Sequence, residues 1–229
     1  MPSSRPETMP LSAAAARITQ LTGAMKALVP RTAHTGFADR LGELFGIGNS
    51  MDLDLALAAP QWTPSESEPR SASEWQQRLD QLCKECQQQW REAVAEFELP
   101  EHPDRGSTPY QQFYVAQQRP LVVGAQQLRH GLRQQLAGQS ENLAQLAQLD
   151  ELFEQTVGHF SGRGFAALGR VLKRRYQQQL ERYSEERAEQ WHRAWMREVH
   201  LLLLAELPLR IKPLEGLLDT LKDEERSNA

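Results

Sequence analysis

Residues 165–206 read FAALGRVLKRRYQQQLERYSEERAEQWHRAWMREVHLLLLAE. This stretch contains no proline and only Gly169. Leu168, Leu172, Tyr176, Leu180, Tyr183, Trp191, Trp195, Val199 and Leu202 or Leu203 recur at three- and four-residue steps, the period of one face of an α-helix. At a rise of about 1.5 Å per residue such a run would extend on the order of 60 Å, so it must break or project from the body. Pro208 and Pro213 are expected to close it, with a final amphipathic turn at Leu214, Leu217, Leu218 and Leu221 before a charged, frayed tail.

The same period recurs upstream. Ser71-Ala72-Ser73-Glu74 spells a capping box, which opens a helix to about Phe97 striped by Trp75, Leu79, Leu82, Cys86, Trp90 or Ala93 and Phe97. Thr108-Pro109-Tyr110-Gln111 offers a capping hydroxyl before a proline, predicting a helix to Ala137 that Pro120 should kink. Ser140 caps a further helix ending near the Gly158 to Gly164 cluster, after which the long run begins. Toward the N-terminus, 11–30, 35–47 and 51–59 carry shorter helical patterns, and Pro60, Pro64 and Pro69 with the Ser and Glu residues among them form a linker.

The expected architecture is therefore all-α, an elongated helical bundle with one very long C-terminal helix. Its organisation is a disordered tail at 1–10, an N-terminal helical region at 11–59, a Pro-rich linker at 60–70, the bundle at 71–222 and a frayed tail at 223–229. Composition agrees. The 229 residues are 40% hydrophobic but only 7% aromatic, and two cysteines cannot supply a disulfide framework. No window approaches the roughly 18 to 20 apolar residues of a membrane span, so no membrane insertion is expected. The polar opening and the early Arg17 interrupt any signal-peptide core, which predicts a cytoplasmic location.

The net charge of −4 conceals an uneven distribution. Ser71 to Gly106 holds four Arg or Lys against eight Asp or Glu, whereas Ser161 to Glu198 holds nine against five. An acidic and a basic stretch of this kind can attract each other, within one chain or between two. Arg163, Arg170, Lys173, Arg174 and Arg175 form the strongest basic cluster, the candidate contact for a phosphate backbone or another anion. Glu181, Glu185, Glu186 and Glu189 follow directly and alternate with arginines at spacings that favour intrahelical pairs, which weighs against nucleic acid.

Trp191, Trp195, Val199, Leu202 and Leu203 make the densest apolar concentration, readable as bundle core or as a surface for another subunit. Cys83-Lys84-Glu85-Cys86 is the one motif that invites chemistry. Its first cysteine lies about three turns inside a predicted helix, away from the N-terminal dipole that stabilises a thiolate, and no second such pair completes a zinc site. A buried Cys86 beside an exposed Cys83 is the expected arrangement. The six histidines show no ligand spacing, and Gly46-Ile47-Gly48 and Gly162-Arg163-Gly164 follow no strand and read as helix terminators. No catalytic residue, metal ligand or cofactor is expected.

Two segments, Phe37-Ala38-Asp39-Arg40-Leu41-Gly42-Glu43-Leu44-Phe45-Gly46 and Leu201-Leu202-Leu203-Leu204-Ala205-Glu206-Leu207-Pro208-Leu209-Arg210, resemble a proteobacterial helical family, domain of unknown function 3348. Ala116-Gln117-Gln118-Arg119, the stretch from Leu128-Arg129 to Arg133, Arg174-Arg175-Tyr176-Gln177 and Pro213-Leu214-Glu215-Gly216-Leu217-Leu218 extend the likeness over nearly the whole chain. The family carries no established catalytic residues. The resemblance implies a cytoplasmic accessory protein, since members are encoded near proton-channel proteins of the MotA/TolQ/ExbB type and OmpA-like proteins. The expected function is thus that of a non-enzymatic helical interaction protein with a protein partner or a second copy of itself. The alternative is nucleic-acid binding through 163–175.

Overall fold

The computed structural model describes residues 69–101, 103 and 106–227, and for 156–167 the backbone alone. The helical patterns expected at 11–30, 35–47 and 51–59, and most of the linker, lie outside the described residues. Four long helices account for nearly all of the rest: α1 (Ala72–Glu96), α2 (Thr108–Ala137), α3 (Glu141–Leu180) and α4 (Ala188–Ser227). A 3-10 turn, Glu185–Arg187, precedes α4, and no strand occurs among the described residues.

The start of α1 is set by the expected capping box. The Ser71 hydroxyl accepts from the Glu74 amide at 3.2 Å, and the Ser71 amide donates to the Glu74 carboxylate at 2.8 Å. The cap of α2 falls one residue earlier than its sequence suggested. Ser107, not Thr108, offers its carbonyl to the Gln111 amide at 3.0 Å, and its hydroxyl takes the Gln111 side-chain amide at 2.5 Å. Gly106 makes the turn into this cap at a φ of 145°, a backbone region open mainly to glycine. Ser140 caps α3 through its carbonyl, which receives the Ala144 amide at 2.9 Å.

The long C-terminal helix is present, but its limits differ from those expected. The Gly158 to Gly164 cluster does not end a helix, since α3 passes through it to Leu180. Glycine in a helix interior costs only about 1 kcal/mol relative to alanine, which the packing of a 40-residue helix outweighs. The break lies at 181–184, where no glycine or proline stands. There the Arg182 amide donates to Gln179 and the Tyr183 amide to Leu180, and Ser184 is extended at φ −143° and ψ 143°. A straight helix would leave the stripe of Tyr176, Tyr183, Trp191 and Trp195 unpartnered. The turn instead brings Trp191 to ring-centroid distances of 5.5 Å from Tyr176 and 5.4 Å from Tyr183.

Pro208 and Pro213 do not close α4 either, and the helix continues through both to Ser227, past the start of the expected frayed tail. Each removes one i to i−4 hydrogen bond. Burial of Leu207, Ile211, Leu214, Leu217, Leu218 and Leu221 on both sides of the prolines holds the axis together. Pro120 likewise lies inside α2.

The packing divides into two compact units, and each long helix contributes a segment to both. In the first, drawn from Gln77–Gln126 and Ala166–Pro213, the interior is aromatic: Trp90, Tyr110, Tyr114, Tyr176, Trp191 and Trp195. Trp90 is fully buried and donates its indole N–H to the Gln117 carbonyl at 2.8 Å, which ties α1 to α2. The second unit includes Gln127–Phe165, the residues from Leu214 onward and the start of α1, with an aliphatic interior of Leu132, Leu136, Leu143, Leu217, Leu218 and Leu221 around Trp75.

In this second unit Gly131 admits the Trp75 ring. A Cβ at Gly131 would sit 2.6 Å from Trp75 Cη2, while the indole is held by its N–H bond to Gln135 Oε1 at 2.9 Å. Gly131→Ala is expected to lose stability, because the roughly 1 to 3 kcal/mol of overpacking exceeds the gain of about 1 kcal/mol in helix propensity. At Gly216 an added methyl would meet nothing within 4 Å. There the propensity gain stands alone, and Gly216→Ala should raise the midpoint of urea unfolding.

Candidate functional site

The polar chemistry of the first unit is concentrated in its interior, on α2 and α4. Glu206 is 1% exposed, so its carboxylate oxygens need hydrogen-bond partners within the fold. One oxygen, Oε2, accepts from the Tyr114 hydroxyl at 2.7 Å and from the Gln118 amide at 2.6 Å. The other, Oε1, accepts from the Arg210 guanidinium, with Nε at 2.5 Å. Tyr114 and Gln118 are four apart on α2, and Glu206 and Arg210 are four apart on α4, so one turn of each helix supplies the whole set. Burial pushes the Tyr114 phenol far above its ordinary value, and the Glu206 charge pushes it further.

A second polar chain lies among the aromatics. His192 Nε2 is 2.9 Å from the Phe97 carbonyl, which can only accept, so Nε2 carries the proton. In the neutral ring Nδ1 is then the acceptor for the Tyr110 hydroxyl at 3.1 Å. The Tyr176 hydroxyl donates to the Pro103 carbonyl. These bonds fasten the connection between α1 and α2 to the later helices, and burial raises the Tyr110 pKa. In contrast to Trp90 and Trp191, whose indoles donate to carbonyls, the Trp195 indole N–H is buried with no hydrogen-bond partner among the described residues.

Of the residues singled out in the sequence, Trp191, Trp195, Val199, Leu202 and Leu203 are brought together, but not as a surface. Trp191 is 8% exposed and the other four 3% or less, so all five are buried in the interior of the first unit. The helix period identified the right stripe; only the fold back at 181–184 determines that it faces inward. The basic cluster is divided. Arg170, Lys173 and Arg174 are exposed on α3, while Arg175 turns aside to Glu198 on α4, with Nε 3.2 Å from Oε2. The Arg163 side chain lies outside the described residues. The basic stretch thus answers part of its own charge, through Arg175 with Glu198 and Arg193 with Glu189.

Cys83 departs from its expected exposure, because both cysteines are buried. Burial and the neighbouring Glu85 charge push the Cys86 thiol up to about 11, the reverse of an activated thiolate. Cys86 is therefore expected to react with iodoacetamide at pH 8 at least about tenfold more slowly in the native chain than in urea, as mass spectrometry of the labelled chain would register. Among the described residues no group of three or more His, Cys, Asp or Glu side chains could hold a metal ion. His34 and His102, and the His159 side chain, lie outside the described residues.

Sequence reasoning missed both the Glu206 centre and a grid of charges in the second unit, where Arg129 and Arg133 on α2 meet Asp150 and Glu154 on α3. The available signal was the pair of four-residue spacings, which also marks ordinary solvated faces.

A family model described as a protein of unknown function (DUF3348) matches residues 4–223. The chain belongs to the DUF3348 family. That match takes in the Glu206 centre, the exposed basic face and the Arg129 grid alike, so all three lie within the family region. No curated protein and no solved structure matches this DUF3348 chain. No described helix is long and apolar enough to cross a membrane.

Proposed function

We propose that this DUF3348 protein is a non-enzymatic helical interaction protein, a cytoplasmic accessory to an envelope machine of the proton-channel and OmpA-like kind. The observation that supports this reading is the closure of the interior polar groups on one another. Glu206, Tyr114, Gln118 and Arg210 satisfy each other, and both ring nitrogens of His192 are engaged. A general acid or base must reach a substrate proton, and these groups already have their partners. The groups left facing solvent are helix faces, above all the cations of α3.

The test is cross-linking of the full chain in its native cells, followed by identification of the linked proteins. A MotA/TolQ/ExbB-type channel or an OmpA-like protein enriched over an unrelated bait supports the reading; its absence from repeated captures overturns the envelope assignment. Exposure of Arg170, Lys173 and Arg174 also favours an anionic partner, which is the basis of the nucleic-acid reading. On the present proposal a DNA or RNA duplex is not retarded by the purified chain even at low salt.

A further inference from the structure

We infer that the exposed cations of α3, Arg170, Lys173 and Arg174, dock against the acidic end of α1 in a second copy of this chain, at Glu92, Glu96, Glu98 and Glu101. Both faces belong to the first unit and all seven side chains are exposed. None of the seven takes part in an ion pair among the described residues; Glu92 accepts only a hydrogen bond, from Gln88.

The acidic end is poorly matched to its own helix. The last turn of α1 carries no basic residue, so Glu92 and Glu96 stand beside the carbonyl pole of the helix, where negative charge is unfavourable and an external cation is favoured. Glu98 and Glu101 extend the same sign into the connection toward α2, with Arg91 as the nearby exposed cation. On the other side, Arg170 and Arg174 are four apart and Lys173 adjoins them, so the three cations occupy about one turn of α3.

Choice of partner follows from the surroundings of the cations. A phosphate backbone is a long, uniform polyanion, and affinity for it grows with the number of phosphates neutralised. Beyond one turn, the exposed Glu181, Glu185, Glu186 and Glu189 outnumber the exposed Arg182 and Arg187 among them and would repel such a strand. A compact patch of four carboxylates matches three cations in extent and sign without meeting those glutamates. Exposed pairs are individually weak and screened by salt, so the contact is expected to be reversible and salt-sensitive. A face of one copy meeting a different face of the next is a heterologous contact, and whether it closes into a dimer or continues is read from the mass.

This inference rests on the interaction reading only for its biological use, because self-association is measured on the purified full chain without any envelope protein. Sedimentation velocity between about 5 and 200 μM should show association in about 50 mM salt that is weakened at least tenfold in about 500 mM. Two charge-reversed variants, R170E/K173E/R174E and E92K/E96K/E98K/E101K, should each be monomeric alone. Mixed one to one they should associate again, since one then presents only acids and the other only bases. R170Q/K173Q/R174Q, which keeps the helix surface polar, should also be monomeric. A wild-type chain that stays monomeric at low salt overturns the inference, as does undiminished association of the reversed or neutralised variants. A mixture that stays monomeric with both components folded by circular dichroism overturns it too. Retardation of a DNA duplex by a monomeric wild-type chain would transfer the cations to the nucleic-acid reading.

Discussion

Glu206→Ala is expected to destabilise the chain by about 3 to 5 kcal/mol, the range for removing one member of a buried, hydrogen-bonded charge pair. The loss is large because three donors lose their acceptor together. Arg210 is mostly buried, and Tyr114 is buried almost completely, so neither regains full hydration when the carboxylate goes. Tyr114→Phe removes only one hydrogen bond to a charged group and should cost about 1.5 to 3 kcal/mol. Measured by urea denaturation, the two changes should not add. In the double variant the phenol is no longer stranded, so its cost should fall below the sum by at least about 0.5 kcal/mol.

The same centre gives an alkaline signature. The folded Tyr114 pKa lies above the ordinary 10.0, so the stability it contributes is complete below that value and is lost as pH rises past 10.0 toward the folded pKa. Unfolding monitored between about pH 9 and 12 should therefore change less steeply with pH in Tyr114→Phe than in the wild type. Equal pH slopes would mean that the phenol is hydrated in the native state. A small effect of Glu206→Ala would mean that water reaches the carboxylate.

Helix beginnings were the most legible part of the fold, because a cap is a local device. Ser71 and Glu74 are three residues apart, and the bonds they make need no third element. Endings were less legible. Glycine and proline are read as punctuation because each has a local cost, yet Gly158, Gly162, Pro208 and Pro213 all lie inside helices whose packing outweighs it. The true break at 181–184 carried a weaker sign, Ser184 followed by Glu185 and Glu186, an extended serine ahead of two acids in a first turn.

Its cause is tertiary, the edge-on packing of Trp191 against Tyr176 and Tyr183, which single-helix periodicity cannot contain. The same limit governs the site. Periodicity placed Trp191, Trp195 and Val199 on one stripe but carried no information on whether that stripe met another helix or solvent. Glu206 was hidden for the opposite reason, since a lone acid within Leu204-Ala205-Glu206-Leu207 acquires meaning only when Tyr114 and Gln118 arrive from a helix 88 or more residues away.

The charge grid of the second unit offers the second large effect, and it separates a clamp from a decorated surface. Asp150 receives Arg129 at 2.7 Å and lies 3.7 Å from Arg133, while Glu154 lies 2.5 Å from Arg133 and 3.3 Å from Arg129. Both arginines and Asp150 are only 12 to 13% exposed, whereas Glu154 is 28% exposed. Asp150→Ala leaves two largely desolvated guanidinium groups sharing the one remaining, wetter carboxylate, and is expected to cost about 3 kcal/mol. Arg133 is already poorly served, with its Nη1 buried and donating no hydrogen bond among the described residues, so it has no spare acceptor to turn to.

Glu154→Ala should cost roughly half as much, because its position is closer to water and Asp150 remains to hold Arg129 in a two-pronged bond. Replacing Arg129 with Met and Asp150 with Leu together should recover most of the loss seen in Asp150→Ala, since apolar groups of similar volume avoid the desolvation that the charges undergo. Urea unfolding of the four chains gives the comparison directly. If Asp150→Ala and Glu154→Ala both cost less than about 0.5 kcal/mol, the grid is a solvated surface pairing and does not join α2 to α3.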